Sequence, residues 1–363
     1  MQAGSAAPTP SGEVTISSPR GAPVDVRAVG LDSGRVRLEG SYRGAIHIEV
    51  REGAAIVVNR ISPDGYLASV LASEIGPGAP AEALKAQAVA ARSYALATAA
   101  ERRASAGAPP WDLVASVADQ AYRGAASETP RTRQASRDTS GEVLVHGGKV
   151  IKAVYHASSG GATTSAREAW LSDVPGPTAV FDGLGGSGGL SDESALRRFL
   201  LTPPTEVFGA AHPAFRWRVR YAATDLTTRL ARSLPRLGVT PGDVGELRDI
   251  RIEARSADGR VRSLRCVGSK GEAVVRGDAI RWALGDGRVA GDGLRSTLFA
   301  IDKAGTAPPY LAYEIFGGGW GHGVGMSQAG AMDMAARGLG YRTILSHYYG
   351  DAELVRLGSE NAR

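Results

Sequence analysis

Two stretches of this chain decide its fold: Tyr66-Leu-Ala-Ser-Val-Leu-Ala-Ser-Glu74 and Glu82-Ala-Leu-Lys-Ala-Gln-Ala-Val-Ala-Ala-Arg-Ser-Tyr94. Alanine together with Glu, Lys, Gln and Arg has high helix propensity, so the second stretch predicts a helix over residues 80–104. The first predicts a helix that begins near Ser62, a good capping residue. Gly76-Pro-Gly78 separates the two, because glycine and proline end helices.

Short apolar segments separated by glycine turns predict strands elsewhere. They lie in residues 13–63, in a hairpin over 141–157, in three segments between 250 and 276, and at 311–316. Residues 326–337 predict a further helix. We find no alternating strand–helix–strand pattern and no internal repeat. The predicted class is therefore α+β, with mixed short β-sheets and Ala-rich helices forming one cleft-bearing domain.

Composition changes along the chain suggest how it is organised. Residues 1–12 are small, polar and rich in Pro and Ser, without the basic and apolar stretches of a signal peptide. We expect a disordered tail there, of the kind left when a signal or anchor is removed. Residues 13–60 are expected to form a β-rich segment packed on the core, 61–350 the cleft-bearing domain, and 351–363 a second tail. Residues 176–194 are rich in Gly and Ser, which predicts a loop.

Bulk composition excludes several classes of protein. Hydrophobic residues make up 43% and charged residues 22% of the 363 residues, which is typical of a soluble globular protein. The net charge is +5, but basic residues are spread along the chain and no nucleic-acid motif is present, so we exclude a nucleic-acid partner. Cys266 is the single cysteine, which excludes an internal disulfide and a Cys-rich zinc cluster.

Glu74 is the first candidate for chemistry. It ends an apolar stretch, and a carboxyl group among apolar neighbours has a raised pKa, which suits a general acid. The alternative is an ordinary glutamate facing solvent near a helix end. On the next helix, the planar fork of Arg92 suits an anion or sugar clamp, with a surface arginine as the alternative.

A second candidate region is Tyr155-His-Ala-Ser-Ser-Gly-Gly-Ala-Thr163, which follows a predicted strand. Polar residues just past a strand end, bent by two glycines, are typical of a binding loop. His156 could serve as metal ligand, acid/base group or hydrogen-bond donor, or could simply cap the strand. Ser158 and His156 share a strand face, but a nucleophile pair also needs a third, orienting group, and none is evident.

The third candidate region is Gly317-Gly-Gly-Trp-Gly-His-Gly-Val-Gly-Met-Ser-Gln328. It lacks the Gly-x-Gly-x-x-Gly spacing of a dinucleotide-binding turn. Glycines on both sides of His322 let the backbone approach a ligand closely. Ser327 and Gln328 are predicted in the first helical turn, where free N–H groups can also face a ligand. We expect this region and the Glu74 region to form one cleft.

Taken together, these segments resemble the SpoIID/LytB domain family, which includes the stage II sporulation protein D and amidase-enhancer proteins. The matching stretches keep the family order over residues 60–350, whereas residues 176–290 resemble the family only weakly and are therefore expected to be a variable, insertion-like part. The matching stretches are 66–74, 82–96, Asp119-Gln-Ala-Tyr-Arg-Gly124, Thr139-Ser-Gly-Glu-Val-Leu144, 153–163, Leu294-Arg-Ser-Thr-Leu-Phe299, 317–331 and 344–350.

The resemblance implies a peptidoglycan lytic transglycosylase, located outside the cytoplasm in the periplasm, in the cell wall or on a membrane anchor. Such an enzyme cleaves glycan strands, here expected to be denuded of peptides, between N-acetylmuramic acid and N-acetylglucosamine, and leaves a 1,6-anhydro end. By the family motif, Glu74 is the catalytic acid/base. The implied substrate-binding residues are Gln87, Arg92, Gln120, Tyr122, Tyr155, His156, Ser158, Ser159, His322, Ser327 and Gln328.

One departure from the family concerns metal. Some relatives hold zinc partly through cysteines near the Tyr-His segment, where this chain has Ser158 and Ser159. We therefore predict no metal and no cofactor. The implied partners are peptidoglycan strands and, as a further candidate, a cell-wall amidase. The competing hypothesis is a non-catalytic glycan-binding module that recruits or enhances such an amidase, although retention of Glu74 favours the enzyme.

Overall fold

The computed structural model of the chain describes residues 13–17, 24–28, 38–51, 54–184, 189–285 and 293–358. The predicted tail at 1–12 lies outside these residues. The chain divides into two compact units, one of residues 1–144 with 354–363 and one of residues 145–353. Helices and short sheets occur in both units, which confirms the predicted α+β class. The predicted domain bounds stay a prediction.

The first unit combines paired strands with three helices. In chain order, its elements are β1 (Glu13–Ser17), β2 (Val24–Ala28), β3 (Leu38–Tyr42), β4 (Ala45–Arg51), β5 (Ala54–Arg60), α1 (Pro63–Glu74), α2 (Ala81–Ala104), α3 (Pro130–Asp138) and β6 (Glu142–His146), whose last two residues belong to the second unit. Antiparallel pairing joins β1 to β4, β4 to β5, and β2 to β3.

The two predicted helices form where the sequence places them. The Ser62 hydroxyl accepts a 3.3 Å hydrogen bond from the Gly65 N–H and so caps α1. The N-terminal half of α2 is buried almost all round, with residues 88–91 fully inside. Alanine makes this possible, because its small side chain lets neighbouring elements approach the helix closely. Helix α2 is therefore the centre of the first unit.

The second unit is built mainly on antiparallel strands. In chain order, its elements are β7 (Lys149–Val150), β8 (Tyr155–His156), α4 (Ala166–Trp170), α5 (Glu193–Leu201), β9 (Trp217–Ala222), α6 (Ala223–Arg236), β10 (Leu247–Arg255), β11 (Val261–Gly268), β12 (Glu272–Arg276), α7 (Ala279–Ala283), β13 (Phe299–Ala304), β14 (Ala312–Gly317), β15 (Met326–Ser327), α8 (Gln328–Ala336), α9 (Tyr341–Tyr348) and β16 (Glu353–Arg356), whose last three residues belong to the first unit.

Two three-stranded sheets carry the core of this unit, one in the order β10-β11-β12 and one in the order β13-β14-β9. Helices α6 and α7 contribute leucine and isoleucine side chains to the same core, including Leu226, Leu230 and Ile280, all fully buried. Cys266 lies in this core, where burial raises the pKa of its thiol to about 12. It is a packing residue rather than a reactive one.

Two predicted elements are wrong in detail. The second arm of the hairpin was expected to continue to His156, but the strand breaks after Val150 and resumes at Tyr155. Between them the Ala153 N–H bonds to the Ile151 carbonyl, a local turn that replaces strand pairing. Residues 326–327 are strand rather than helix, because they pair in parallel with β8, and α8 begins only at Gln328.

Two further predictions concern a short strand near residue 38 and the C-terminal tail. Within the range 13–63, where short strands were predicted, residues 36 and 37 lie outside the described residues, and β3 begins at Leu38. Strand β16 forms within the predicted C-terminal tail. In the described part of the chain, none of the helices combines the length and the apolar character that crossing a membrane requires.

Candidate functional site

Glu74 is the last residue of α1, and its carboxyl group is half-buried. Its Oε1 accepts a hydrogen bond of 2.6 Å from the backbone N–H of Ala121. Burial raises the pKa of this carboxyl group above its ordinary 4.5, and the Ala121 hydrogen bond opposes that rise without reversing it. Its Oε2 forms no hydrogen bond with the described residues and is not fully buried. The side chain is therefore an oriented acid with one free oxygen.

The segment that supplies Ala121 is fixed on both sides. Gln120 is fully buried, donates from Nε2 to the Ala91 carbonyl of α2 at 3.2 Å, and accepts from the Tyr66 hydroxyl at 3.0 Å. The Arg123 N–H donates to the Ser69 hydroxyl of α1 at 3.1 Å. These bonds hold the Ala121 amide in place against Glu74.

The Tyr122 ring stacks on Tyr66, with 5.2 Å between the ring centroids. Its hydroxyl donates to Asn59 Oδ1 at 2.6 Å. Both rings border a cavity of about 990 Å³ in the first unit, and Arg92 and Trp111 also line it. Glu74 lies outside that lining. We place the candidate site at Glu74 rather than in this cavity, because Glu74 supplies the carboxyl group that a general acid requires.

Gln87 and Arg92 project from α2 into the interior of the first unit. Gln87 is 0% exposed and Arg92 only 2% exposed, so the surface-arginine alternative for Arg92 is wrong. The Arg92 guanidinium donates to Asp64 Oδ1 at 2.9 Å and to the carbonyls of Glu142 at 3.0 Å and Ser136 at 3.2 Å. Arg92 thus joins α1, α3 and β6 around α2.

His322, in the glycine loop of the second unit, is held as a neutral ring. Its Nδ1 accepts from the Val324 N–H at 3.0 Å, so its proton lies on Nε2, which donates to the Tyr155 carbonyl at 3.0 Å. The centroid of the His322 ring is 4.8 Å from that of Trp170 and 5.5 Å from that of His156. Burial lowers the pKa of His322 to about 4.

His156 is buried beside it on β8, with 4% of its surface exposed. Its Nδ1 donates to the Val324 carbonyl at 3.1 Å, which leaves a lone pair on Nε2 that no described residue meets. Burial lowers the pKa of His156 well below its ordinary value, and His322 and the Arg260 guanidinium add to this. His156 is therefore a neutral hydrogen-bond acceptor in this site.

The predicted serines are buried and used within the fold. The Ser159 hydroxyl donates to Asp182 Oδ2 at 2.5 Å, and the Ser159 N–H donates to the Ser327 hydroxyl at 3.2 Å. Ser327 also caps α8 by accepting from the Gly330 N–H at 3.1 Å. The N–H and carbonyl of Ser158 pair with Trp320 of the glycine loop. Gln328, 8% exposed, is the first residue of α8.

Sequence reasoning missed two residues of this site. Asp182 is fully buried and accepts from the hydroxyls of Ser159 and Tyr348, the latter at 2.8 Å. Arg260 donates to the carbonyls of Ser159 and Ala162 at 3.1 and 3.0 Å. No spacing rule pointed to either, because each lies far along the chain from the turn that it supports.

The structure brings together Glu74, Gln120 and Tyr122 in the first unit. In the second unit it brings together Tyr155, His156, Ser158, Ser159, His322 and Ser327. That these two groups of residues line one cleft stays a prediction. Among the described residues, no three His, Cys, Asp or Glu side chains lie close enough to hold a metal ion.

Two protein families match parts of this chain. Residues 51–146 match the stage II sporulation protein (SpoIID) family. Residues 170–325 match a domain of unknown function, DUF8618. The second match covers the whole of the segment 176–290 that was expected to be variable and insertion-like.

Curated relatives agree with the SpoIID match. The chain is 28% identical over 301 residues to a protein named "Amidase enhancer" from Bacillus subtilis, which covers 78% of this chain and 39% of that protein. It is 36% identical over 134 residues to an uncharacterized protein of Brachyspira hyodysenteriae, covering 37% of this chain and 36% of that protein. It is 26% identical over 313 residues to "Stage II sporulation protein D" of Bacillus amyloliquefaciens, covering 83% and 76%.

The chain thus spans about two-fifths of the length of the first two relatives. The matches nevertheless confirm the resemblance predicted from the motifs. Residues 51–146 are a SpoIID segment, and the chain is a relative of the SpoIID/LytB family.

Proposed function

We propose that the chain is a peptidoglycan lytic transglycosylase that acts outside the cytoplasm, with Glu74 as its acid/base. The observation that carries this proposal is the state of the Glu74 carboxyl group. Burial raises its pKa, the Ala121 N–H fixes Oε1, and Oε2 forms no hydrogen bond with the described residues. A protonated, oriented carboxyl group with one free oxygen is what protonation of a glycosidic oxygen requires.

In the proposed reaction, Glu74 donates its Oε2 proton to the oxygen between N-acetylmuramic acid and N-acetylglucosamine. The bond from C1 to that oxygen breaks, and the N-acetylglucosamine side leaves as an alcohol. The 6-hydroxyl of the same muramic residue attacks C1 and closes the 1,6-anhydro ring. The Glu74 carboxylate takes up the proton of that hydroxyl, which restores the acid.

The surroundings of Glu74 favour a mechanism with one carboxyl group over hydrolysis. Ordinary glycosidases use two carboxyl groups, one of which activates water or forms a covalent bond. Asp119 lies two residues from Ala121, but its carboxylate accepts from the Arg102 guanidinium at 3.0 Å and from the Val114 N–H at 2.6 Å. An attacking hydroxyl supplied by the substrate itself removes the need for a second carboxyl group.

The remaining predicted residues take supporting parts in this proposal. Gln120 anchors the segment beside Glu74, and Tyr122 and the buried Gln87 stay proposed substrate-binding residues. The buried Arg92 acts by positioning α1 through Asp64 rather than by clamping the sugar directly. Tyr155, His156, His322 and Gln328 of the second unit stay proposed substrate-binding residues, with Ser158, Ser159 and Ser327 holding their loops.

A second candidate function is a glycan-binding module that enhances a cell-wall amidase. The name "Amidase enhancer" of one relative favours it, because that match covers 78% of this chain. In that case a cell-wall amidase would be the partner, and Glu74 would bind glycan rather than cleave it.

Glu74→Gln separates the two candidates. Glutamine has the shape of the protonated carboxyl group and its oxygen can still accept from Ala121, but it cannot donate an acidic proton. We expect strands denuded of peptides to bind equally to both proteins, while only the unchanged protein releases 1,6-anhydro ends detectable by mass spectrometry. The control is Glu101→Gln, an exposed glutamate on α2, which should cleave normally. Binding without cleavage by the unchanged protein would favour the amidase-enhancing module.

A further inference from the structure

Trp320 is an exposed aromatic side chain on a rigid backbone in the second unit. Trp320 is 51% exposed, whereas the other exposed large hydrophobic residues in the described part of the chain are aliphatic. Its N–H and carbonyl both bond to Ser158, at 2.8 and 3.0 Å. Gly319 and Gly321 flank it with φ of +83° and +114°, a conformation that glycine adopts without strain. The fold therefore holds this indole in solvent at a fixed place.

Arg295 lies against the indole. Its guanidinium carbon is 5.5 Å from the centre of the Trp320 ring, and its carbonyl accepts from the Gly321 N–H at 2.8 Å. The Arg295 side chain is exposed, and none of the ion pairs between described residues includes it. Its cation–π contact leaves guanidinium N–H groups available to a ligand.

His212 adds a neutral donor close to Arg295. Its Nδ1 accepts from the Ala214 N–H at 3.1 Å, so the proton of the neutral ring lies on Nε2. Burial lowers the pKa of His212, and the nearby positive charge of Arg295 lowers it further. The Ala214 carbonyl in turn accepts from the Gly319 N–H at 3.0 Å, which ties the His212 segment to the glycine loop.

This combination defines the chemistry of a ligand. A flat, exposed indole face suits the C–H face of a sugar ring, and aromatic residues with a few polar groups are typical of small-ligand sites. A guanidinium fork suits a carboxylate. A neutral sugar would leave Arg295 unused, and a simple anion would leave Trp320 unused.

We propose that Trp320 and Arg295 form a binding site for a saccharide that carries a carboxylate, with the sugar ring on the indole and the carboxylate on the guanidinium. The His212 segment supports this site through the hydrogen bond between the Ala214 carbonyl and the Gly319 N–H. The inference rests on the proposed function for the identity of this sugar. In a strand without stem peptides, the lactyl group of N-acetylmuramic acid carries a free carboxylate on a short arm outside the sugar ring.

The test is equilibrium binding by calorimetry to the full chain carrying Glu74→Gln. Three disaccharides are compared: N-acetylglucosaminyl-N-acetylmuramic acid, the same disaccharide with its carboxylate amidated, and chitobiose, which has no carboxylate. Arg295→Ala should weaken binding of the acidic disaccharide about tenfold, the worth of one charged hydrogen bond, and leave the other two unchanged. Trp320→Ala should weaken binding of all three.

The matched control is Arg218→Ala, because Arg218 also lies over an aromatic ring, 5.4 Å from Phe316, in the same unit. It should change none of the three affinities. Equal losses for the acidic and amidated disaccharides in Arg295→Ala would overturn the proposal, as would unchanged binding in Trp320→Ala. Competition by a single-stranded oligonucleotide at similar affinity would also overturn it, because bases stack on exposed aromatic rings too.

Failure of this inference differs from failure of the proposed enzyme. If Arg295→Ala and Trp320→Ala leave binding unchanged while the protein carrying Glu74 still releases anhydro ends, the enzyme stands and this site does not. If both variants lose binding as expected while no anhydro ends form, the site stands and the enzyme does not.

Discussion

The backbone N–H of Ala121 and the carboxyl group of Glu74 meet at 2.6 Å, although nearly fifty residues separate them in the sequence. This bond lowers the pKa of Glu74, while burial raises it, and burial has the larger effect. The outcome is a carboxyl group that holds its proton above its ordinary range and whose Oε2 forms no hydrogen bond with the described residues. The account of catalysis depends on this balance.

The pH dependence of cleavage follows from that balance. The general acid must be protonated, so the cleavage rate on denuded strands should fall as pH rises through the raised pKa of Glu74. The measurement is the initial rate across a pH series. A rate that rises over that range would mean that Glu74 works as a carboxylate base from the start.

The same group links stability to pH. Because the folded protein binds the Glu74 proton more tightly than the unfolded chain, its contribution to stability is complete below about 4.5 and is lost as pH rises through the folded pKa. Urea unfolding of the unchanged protein and of Glu74→Gln, each at several pH values, measures this. The difference in unfolding free energy between the two should change with pH in that window, and a constant difference would contradict the raised pKa.

Arg92→Ala should destabilise the first unit by about 2–3 kcal/mol, because it removes a buried guanidinium that donates to the carbonyls of Glu142 and Ser136. The ion pair between Arg92 and Asp64 contributes little to this loss of stability, since the Asp64 side chain is 36% exposed and water screens the two charges. Asp64→Asn is therefore the control, with a loss below about 1 kcal/mol. Wild-type stability in Arg92→Ala together with lost glycan binding would show instead that Arg92 clamps the sugar directly.

Asp182→Ala should destabilise the second unit by about 3 kcal/mol, because it leaves the buried hydroxyls of Ser159 and Tyr348 without their acceptor. The control is Asp173→Ala, which breaks an exposed ion pair with Arg167 and should cost below about 1 kcal/mol. Equal unfolding free energies for the two variants in urea would contradict the network described for Asp182.

His322 should stay neutral down to about pH 4, with its proton on Nε2. Nitrogen chemical shifts of the ring, assigned with His322→Gln, report both the tautomer and the titration. The contribution of the neutral ring to stability is complete above about 6.5 and is lost as pH falls towards about 4. Protonation of His322 near 6.5 would show that the ring is less buried than described.

The parts of the fold that could be predicted from the sequence are those set by local chemistry. Ser62 and Gly76 bound α1 because capping and helix termination act within a few residues. The alanine-rich run of α2 needs no distant partner to indicate a helix. Strand β9, with the alternation Trp217, Val219, Tyr221, is not among the strands predicted from the sequence, and its pairing with β14 selects the strand.

The candidate site could be predicted only as far as its motifs. Glu74 and His322 lie in dense local patterns, so the sequence pointed to both. The Ala121 amide has no side-chain signature, and the buried Asp182 lies in a stretch that resembles an ordinary loop. Their roles depend on contacts across about fifty and about twenty residues of chain, respectively, which no local pattern encodes.

Strand cleavage in water labelled with heavy oxygen tests the central claim most directly. If Glu74 directs the 6-hydroxyl of the substrate to C1, mass spectrometry will find 1,6-anhydro ends without the label, and Glu74→Gln will produce none. Reducing ends that carry the label would contradict the account, because water rather than the substrate would then be the nucleophile and a second carboxyl group would have to activate it.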